Sequence, residues 1–223
     1  MAWRVEVGSE TTSAEYDAPA TGDASTVFVC AHGAGGSMSD RGVLTTSRAI
    51  RERGVGIVRF NFPYKEKGSG RPDPMPKLED TTAAVIARVR SELAPKTLII
   101  GGRSMGGRAA SMLASRGFDA SGLFLLAYPL HPAGKPEQLR DAHLPSIRMP
   151  VLCVNGTRDA LCTPDLMTRA LQPVTAPWQM HWIDGADHSF HVLKSSGRTD
   201  AQVMAEIADV GHRWIGQLPE RHS

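Results

Sequence analysis

Ser104, Asp159 and His188 are the residues whose types and surroundings suit covalent catalysis. Ser104 stands in Gly102-Arg103-Ser104-Met105-Gly106, a Gly-x-Ser-x-Gly turn entered by the apolar run Leu98-Ile99-Ile100 and left by small, helix-compatible residues. The pattern predicts strand, sharp turn and helix. A serine on so tight a turn is strained, and a side chain at 102 or 106 would collide with a neighbouring strand or helix. The glycines thus lift the hydroxyl clear of the sheet edge. A serine hydroxyl is a poor nucleophile at neutral pH: an imidazole must take its proton, and a carboxylate must fix the imidazole's tautomer and stabilise its charged form. His188 and Asp159 supply these groups, each at the end of a later strand-like run. A tetrahedral intermediate also needs backbone N–H donors. Met105 offers one at the start of the following helix, and the turn His32-Gly33-Ala34-Gly35-Gly36 offers the other, with Ala34 favoured and Gly35 second.

Each of these residues has competitors. Asp159 can instead cap the next helix or pair with Arg158, and Asp184 and Asp187 are alternative acids. Asp187 is the weaker of these, because side chains of adjacent residues diverge and it directly precedes His188. His191, His131, His181 and His32 are alternative bases, but His181 lies within a strand-like run and His32 in a turn that a histidine can hold by hydrogen bonds. Arg103 and Arg108 flank the serine. They suit recognition of a carboxylate or other anion, although packing within the turn is the favoured reading. Tyr64, Lys65 and Met75, with Tyr128 and His131, either line a substrate pocket or are ordinary loop residues. Cys30, Cys153 and Cys162 are odd in number and lack metal-ligand spacing, so small buried hydrophobes are expected rather than a zinc site or disulfides.

The elements that must position these groups alternate along the chain. Residues 3–7 suit an edge strand, and 9–25 form a Ser/Thr/Asp/Ala/Pro-rich stretch with little helical period. Runs at 27–31, 55–60, 97–102, 122–127 and 151–156 are the continuous apolar segments of buried parallel strands, and 178–183 reads as a last strand. Helices are predicted near 40–53, 78–93, 106–115, 164–171 and 200–215, the last with a clear amphipathic period. The proline-rich 61–76 reads as a loop, and 128–150 as an excursion over the sheet, too short for a large lid domain. Strands alternating with helices predict an open, mostly parallel sheet covered on both faces, with its ligand site at the carboxyl ends of the strands.

From about Val27 onward the chain resembles the α/β-hydrolase superfamily. Gly102-Arg103-Ser104-Met105-Gly106 matches its nucleophile elbow, His32-Gly33-Ala34-Gly35-Gly36 its oxyanion loop, and Asp187-His188-Ser189-Phe190 the surroundings of its histidine, in the chain order Ser, Asp, His. More narrowly it is similar to the small dienelactone-hydrolase-like branch, which includes bacterial predicted hydrolases and the testis-expressed and chromatin-complex-subunit hydrolase-like domains of animals. Phe60-Asn61-Phe62-Pro63-Tyr64 and the stretch from Gly101 to Arg108 carry that resemblance. Dienelactone hydrolases proper use a cysteine nucleophile where this chain has Ser104, so their substrate does not carry over. The resemblance implies a three-layer α/β-hydrolase fold over residues 1–223 as a single domain. The narrower branch itself implies little about substrate; the triad, in a chain without room for a lid domain that would select long lipids or peptides, predicts a serine hydrolase acting on small carboxylic esters or thioesters without metal or organic cofactor. An acyl-peptide or amide hydrolase and a non-catalytic scaffold are the alternatives.

Composition agrees with this class. The 223 residues are enough for one sizeable core, and 41% hydrophobic and 22% charged residues with a net charge of +2 suggest neither nucleic acid nor membrane as partner. A small ester-like substrate is expected, in a monomer or homodimer. Charges near the N-terminus and the lack of an apolar run of roughly 18 residues predict a cytoplasmic protein.

Overall fold

A computed structural model describes residues 1–219. The apolar runs form its interior strands: β3 (Thr26–Ala31), β4 (Gly56–Phe60), β5 (Thr97–Arg103), β6 (Gly122–Leu126) and β7 (Val151–Gly156). β4, β6 and β7 are buried along their whole lengths, as strands must be when helices cover both faces of a sheet. Together with β1 (Ala2–Val7), β2 (Glu10–Asp17) and β8 (Trp178–Ile183) they make one eight-stranded sheet in the order β1-β2-β4-β3-β5-β6-β7-β8. Neighbours from β4 to β8 are parallel, whereas β2 runs antiparallel to both β1 and β4.

This order decides where a site can form. After β3 the chain winds to one side to make β4, then crosses back to make β5 on the other side. The carboxyl ends of β3 and β5 therefore open onto a crevice that no crossover covers. The His32 turn leaves β3 there, and Ser104 leaves β5.

Alternation along each strand feeds two cores. Val27, Val29 and Ala31 pack with residues of α3 (Met75–Leu93), α4 (Met105–Ser115) and α5 (Pro164–Leu171), including Val85, Ile86, Ala109, Ala110 and Met167. Phe28 and Cys30 face the opposite way, onto α1 (Arg41–Arg51) and α6 (Asp200–Ile215) through Ile50, Val203, Ile207 and Trp214. Each fully buried large side chain contributes roughly 1.5–3 kcal/mol, so these two layers hold the strand ends in register.

The structure corrects the sequence reading in two places. Residues 10–17 are not irregular: they form β2, whose inward positions Thr12, Ala14 and Tyr16 are buried. The loop at 61–76 contains the one-turn helix α2 (Pro63–Glu66). It also ends early, because α3 begins at Met75 with Pro76 in its first turn, where a missing N–H costs nothing. The excursion between β6 and β7 carries only a 3₁₀ turn, Leu144–Ser146, and no lid domain. All three cysteines are free and buried, and burial pushes the Cys30 thiol up to about 12. Among the described residues no helix is long and apolar enough to cross a membrane.

Candidate active site

Ser104 occupies φ 49° and ψ −117°, between the end of β5 and the start of α4. A non-glycine residue in that conformation is strained and must be held by its surroundings. Its N–H donates to the Leu126 carbonyl at 2.9 Å, and the flanking glycines let the turn press against β3. A Cβ at Gly102 would lie 2.3 Å from the Ala31 carbonyl oxygen, and one at Gly106 would lie 2.5 Å from that of His32. The same absence of side chains that permits the elbow thus brings the His32 turn beside it.

Asp159 and His188 arrive from the ends of β7 and β8. The loops that carry them are laced together, with the Thr157 N–H donating to Ile183 O at 3.0 Å and the Arg158 N–H to Ala186 O at 2.9 Å. The Nδ1 atom of His188 lies 2.8 Å and 3.0 Å from the two carboxylate oxygens of Asp159, and its Nε2 atom lies 2.9 Å from Ser104 Oγ. An ionised carboxylate only accepts, so Nδ1 carries the proton and Nε2 is left to accept from the serine hydroxyl. Asp159 is 2% exposed. Its other partners are the Leu161 N–H at 2.8 Å and Asn155 Nδ2 at 3.1 Å.

The competing groups lie elsewhere. Asp187 Oδ1 accepts from the Ser189 and His191 N–H groups at 2.7 and 3.0 Å, and Asp184 faces the Thr157 hydroxyl. His181 pairs with Glu206, and His191 with Asp200, which holds the His191 imidazole above its ordinary pKa. His32 is buried; its Nε2 accepts from the Phe62 N–H at 3.2 Å and its Nδ1 donates to Gly33 O at 2.8 Å, while burial pushes its pKa down. It ties the glycine-rich turn to the segment after β4. His131 is buried against the Pro132 carbonyl.

A cavity of about 840 Å³ opens over Ser104, a size suited to a small ligand, with Gly33, Ala34, Arg103, His188, Phe190 and Met204 in its wall. Among the described residues, neither the Ala34 nor the Met105 N–H has a hydrogen-bond acceptor. Gly35, at φ 71°, is outside the wall, and its carbonyl accepts from Lys65. Arg103 is in the wall: its Nη2 donates to the His188 carbonyl at 3.2 Å and its guanidinium lies 6.0 Å from the Phe190 ring centroid.

Tyr64 and Tyr128 do not line this cavity, and the expectation that they contact substrate is corrected. Both are core side chains at 2% and 0% exposure; Tyr128 donates its hydroxyl to Arg140 O at 2.7 Å, and the Tyr64 ring packs against His32 and Phe62. Sequence reasoning missed Asn155, the buried amide that holds both Asp159 and the Tyr128 backbone. Its signal was a polar residue near the carboxyl end of an otherwise apolar strand.

A doubly wound, mostly parallel sheet with a serine elbow at the crevice defines an α/β-hydrolase fold. The chain belongs to the family described as an alpha/beta hydrolase domain, which matches residues 24–216. Solved structures share the architecture over nearly their full lengths. A Coxiella burnetii alpha-beta serine hydrolase homologue is 21% identical, with 96% of each chain covered and a TM-score of 0.75. An α/β serine hydrolase of Xanthomonas campestris, described as lacking a lid, is 23% identical, covering 98% of this chain and 96% of that one with a TM-score of 0.74. A dienelactone hydrolase of Anabaena variabilis is 18% identical, covering 98% and 97% with a TM-score of 0.75. At such identities the likeness is one of fold.

Proposed function

We propose that the protein is a serine hydrolase that cleaves small carboxylic esters or thioesters through an acyl-enzyme on Ser104, the whole chain acting as one catalytic unit. The observation that carries this reading is the unbroken line of short contacts from Asp159 through His188 to Ser104, at 2.8 and 2.9 Å. His188 Nε2 takes the hydroxyl proton as Ser104 Oγ bonds to the carbonyl carbon. The oxyanion that forms is held by the unengaged N–H groups of Met105 and Ala34. Collapse breaks the bond to the leaving oxygen or sulfur, which receives the proton from His188. Water then repeats the sequence on the acyl-enzyme, giving the acid and restoring the Ser104 hydroxyl. Asp159 stabilises the imidazolium at each stage and keeps Nδ1 protonated. A cavity of this volume, with no inserted lid domain, favours small substrates over long lipids or peptides.

Turnover of p-nitrophenyl acetate and labelling by a fluorophosphonate probe test the reading. Both should occur in the wild type and vanish in a folded Ser104→Ala variant. A folded wild-type protein that never labels at Ser104 would favour the scaffold, and amides cut as fast as esters would favour an amide hydrolase.

A further inference from the structure

We propose that the cavity selects esters that carry a free carboxylate, with Arg103 as the residue that binds it. The inference rests on the serine-hydrolase reading and adds to it the chemical class of substrate.

Arg103 is the residue before Ser104, and its guanidinium forms part of the cavity wall. Its setting differs from that of the buried Arg59. Arg59, with a side chain 5% exposed, is gripped by Glu15 at 2.9 Å and Asp17 at 2.8 Å, as a desolvated cation requires. Arg103 has no carboxylate within 4.0 Å among the described residues, and its one protein acceptor is the His188 carbonyl. Burial is the largest influence on it and pushes its pKa down.

The acidic groups nearest to it act from a distance, and each is engaged elsewhere. Asp40 accepts from the Ser37 N–H at 2.9 Å and hydroxyl at 3.0 Å, Asp159 is held by His188, and Asp187 by two backbone N–H groups. Asp40 and Asp200 both stand in the cavity wall, and Asp200 is paired with His191. A guanidinium has five N–H donors in a planar fork. Here one is used, and none of the remaining nitrogens is sealed off from solvent.

Arg103 Nη1 lies beside Gly42, in the first turn of α1, 2.3 Å from where a Cβ at that residue would stand. Behind the N-cap Asp40, that turn adds Arg41, which has no ion-pair partner among the described residues, to the wall. A partly desolvated guanidinium in the cavity wall, with donors to spare, matches a carboxylate bidentately. Because Arg103 adjoins Ser104, that carboxylate belongs a few bonds from the scissile carbonyl.

Matched ester pairs decide the matter. On the acyl half, p-nitrophenyl hydrogen esters of four-, five- and six-carbon diacids are compared with butyrate, pentanoate and hexanoate, correcting for spontaneous hydrolysis. On the alcohol half, carboxyphenyl acetates are compared with phenyl acetate. The wild type should favour the anionic member of at least one pair by about 10- to 100-fold in kcat/KM. Arg103→Gln should erase that ratio through KM, with Arg103→Lys intermediate, and rising salt should narrow it. Should Arg103→Gln fail to fold, the wild type alone still decides: free glutarate, but not glutaramide, should compete with a neutral ester. Equal rates within every pair, no competition by glutarate, or a ratio unchanged in Arg103→Gln would overturn the carboxylate proposal while labelling of Ser104 left the hydrolase reading standing. Absence of that labelling would remove both.

Discussion

Asn155 Nδ2 stands 3.1 Å from Asp159 Oδ2, the oxygen that also receives His188 Nδ1–H at 2.8 Å. The same amide closes a two-bond ring with the Tyr128 backbone, accepting its N–H at 3.0 Å and donating to its carbonyl at 3.1 Å. One buried side chain therefore ties the end of β6 to the proposed catalytic acid. Replacing it by alanine leaves the buried Tyr128 N–H without a partner and takes one hydrogen bond each from the Tyr128 carbonyl and Asp159. Asn155→Ala is expected to lose about 1–3 kcal/mol of stability in urea unfolding. Its kcat should fall by about tenfold with little change in KM, since an Asp159 that is less well held orients His188 less well.

Asp159→Asn isolates the electrostatic part of that arrangement. The amide keeps the shape of the carboxylate but can turn an N–H toward His188, which would move the imidazole proton to Nε2 and point it at Ser104. A fall in kcat of about 10⁴-fold is expected, with an unchanged melting temperature. A fall smaller than about tenfold on ester turnover would return the acid role to Asp184 or Asp187.

Gly106→Ala tests the contact between elbow and oxyanion turn. The added methyl would stand 2.6 Å from the Ala31 Cβ and 2.8 Å from its carbonyl carbon, besides the His32 oxygen. These are atoms of a central strand, which cannot yield as a flexible side chain would. Overpacking of this kind costs about 1–3 kcal/mol, and the displaced His32 turn should lower kcat as well. Differential scanning fluorimetry and ester kinetics on the same sample check both.

Much of this site was legible before the fold was known, because its parts sit where apolar runs stop. Ser104 and Asp159 follow strands dominated by apolar residues, His188 follows β8, where Gln179 and His181 interrupt the apolar run, and glycines mark the turns. What stayed hidden follows physical rules of its own. β2 carries its period in Thr12, Ala14 and Tyr16, whose inward positions are too small or too polar to register as an apolar alternation. Tyr64 and Tyr128 read as pocket residues because they stand in proline-rich segments, yet those segments fold back as core. Arg103 Nη1 packs beside Gly42, sixty-one residues earlier in the chain, and no local pattern connects the two.

Acid sensitivity should centre on His143. Its Nε2 lies 2.8 Å from the Ser111 hydroxyl; burial, and then the nearby Arg108 cation, bring its pKa down from 6.5 to about 4, with Asp141 opposing. In the unfolded chain the ring takes up a proton near pH 6.5, while the folded protein resists until about 4. Between those values the unfolded state binds more protons, so the stability from this group, complete above pH 6.5, is lost as pH falls toward 4. His32, also shifted down by burial, adds in the same direction. The urea midpoint should be flat above pH 7 and drop across this window, and His143→Gln should make the drop shallower.

The backbone of Ser104, at φ 49° and ψ −117°, sets durability against use at one position. Glycine adopts such angles without the steric cost that a β-carbon brings, a cost of order 1–3 kcal/mol. A variant library ranked by heat resistance alone is therefore expected to enrich glycine at 104 and so discard the hydroxyl on which the proposed chemistry depends. Directed evolution of this scaffold needs an activity gate in every round, because the toughest molecule it can yield is an inert one.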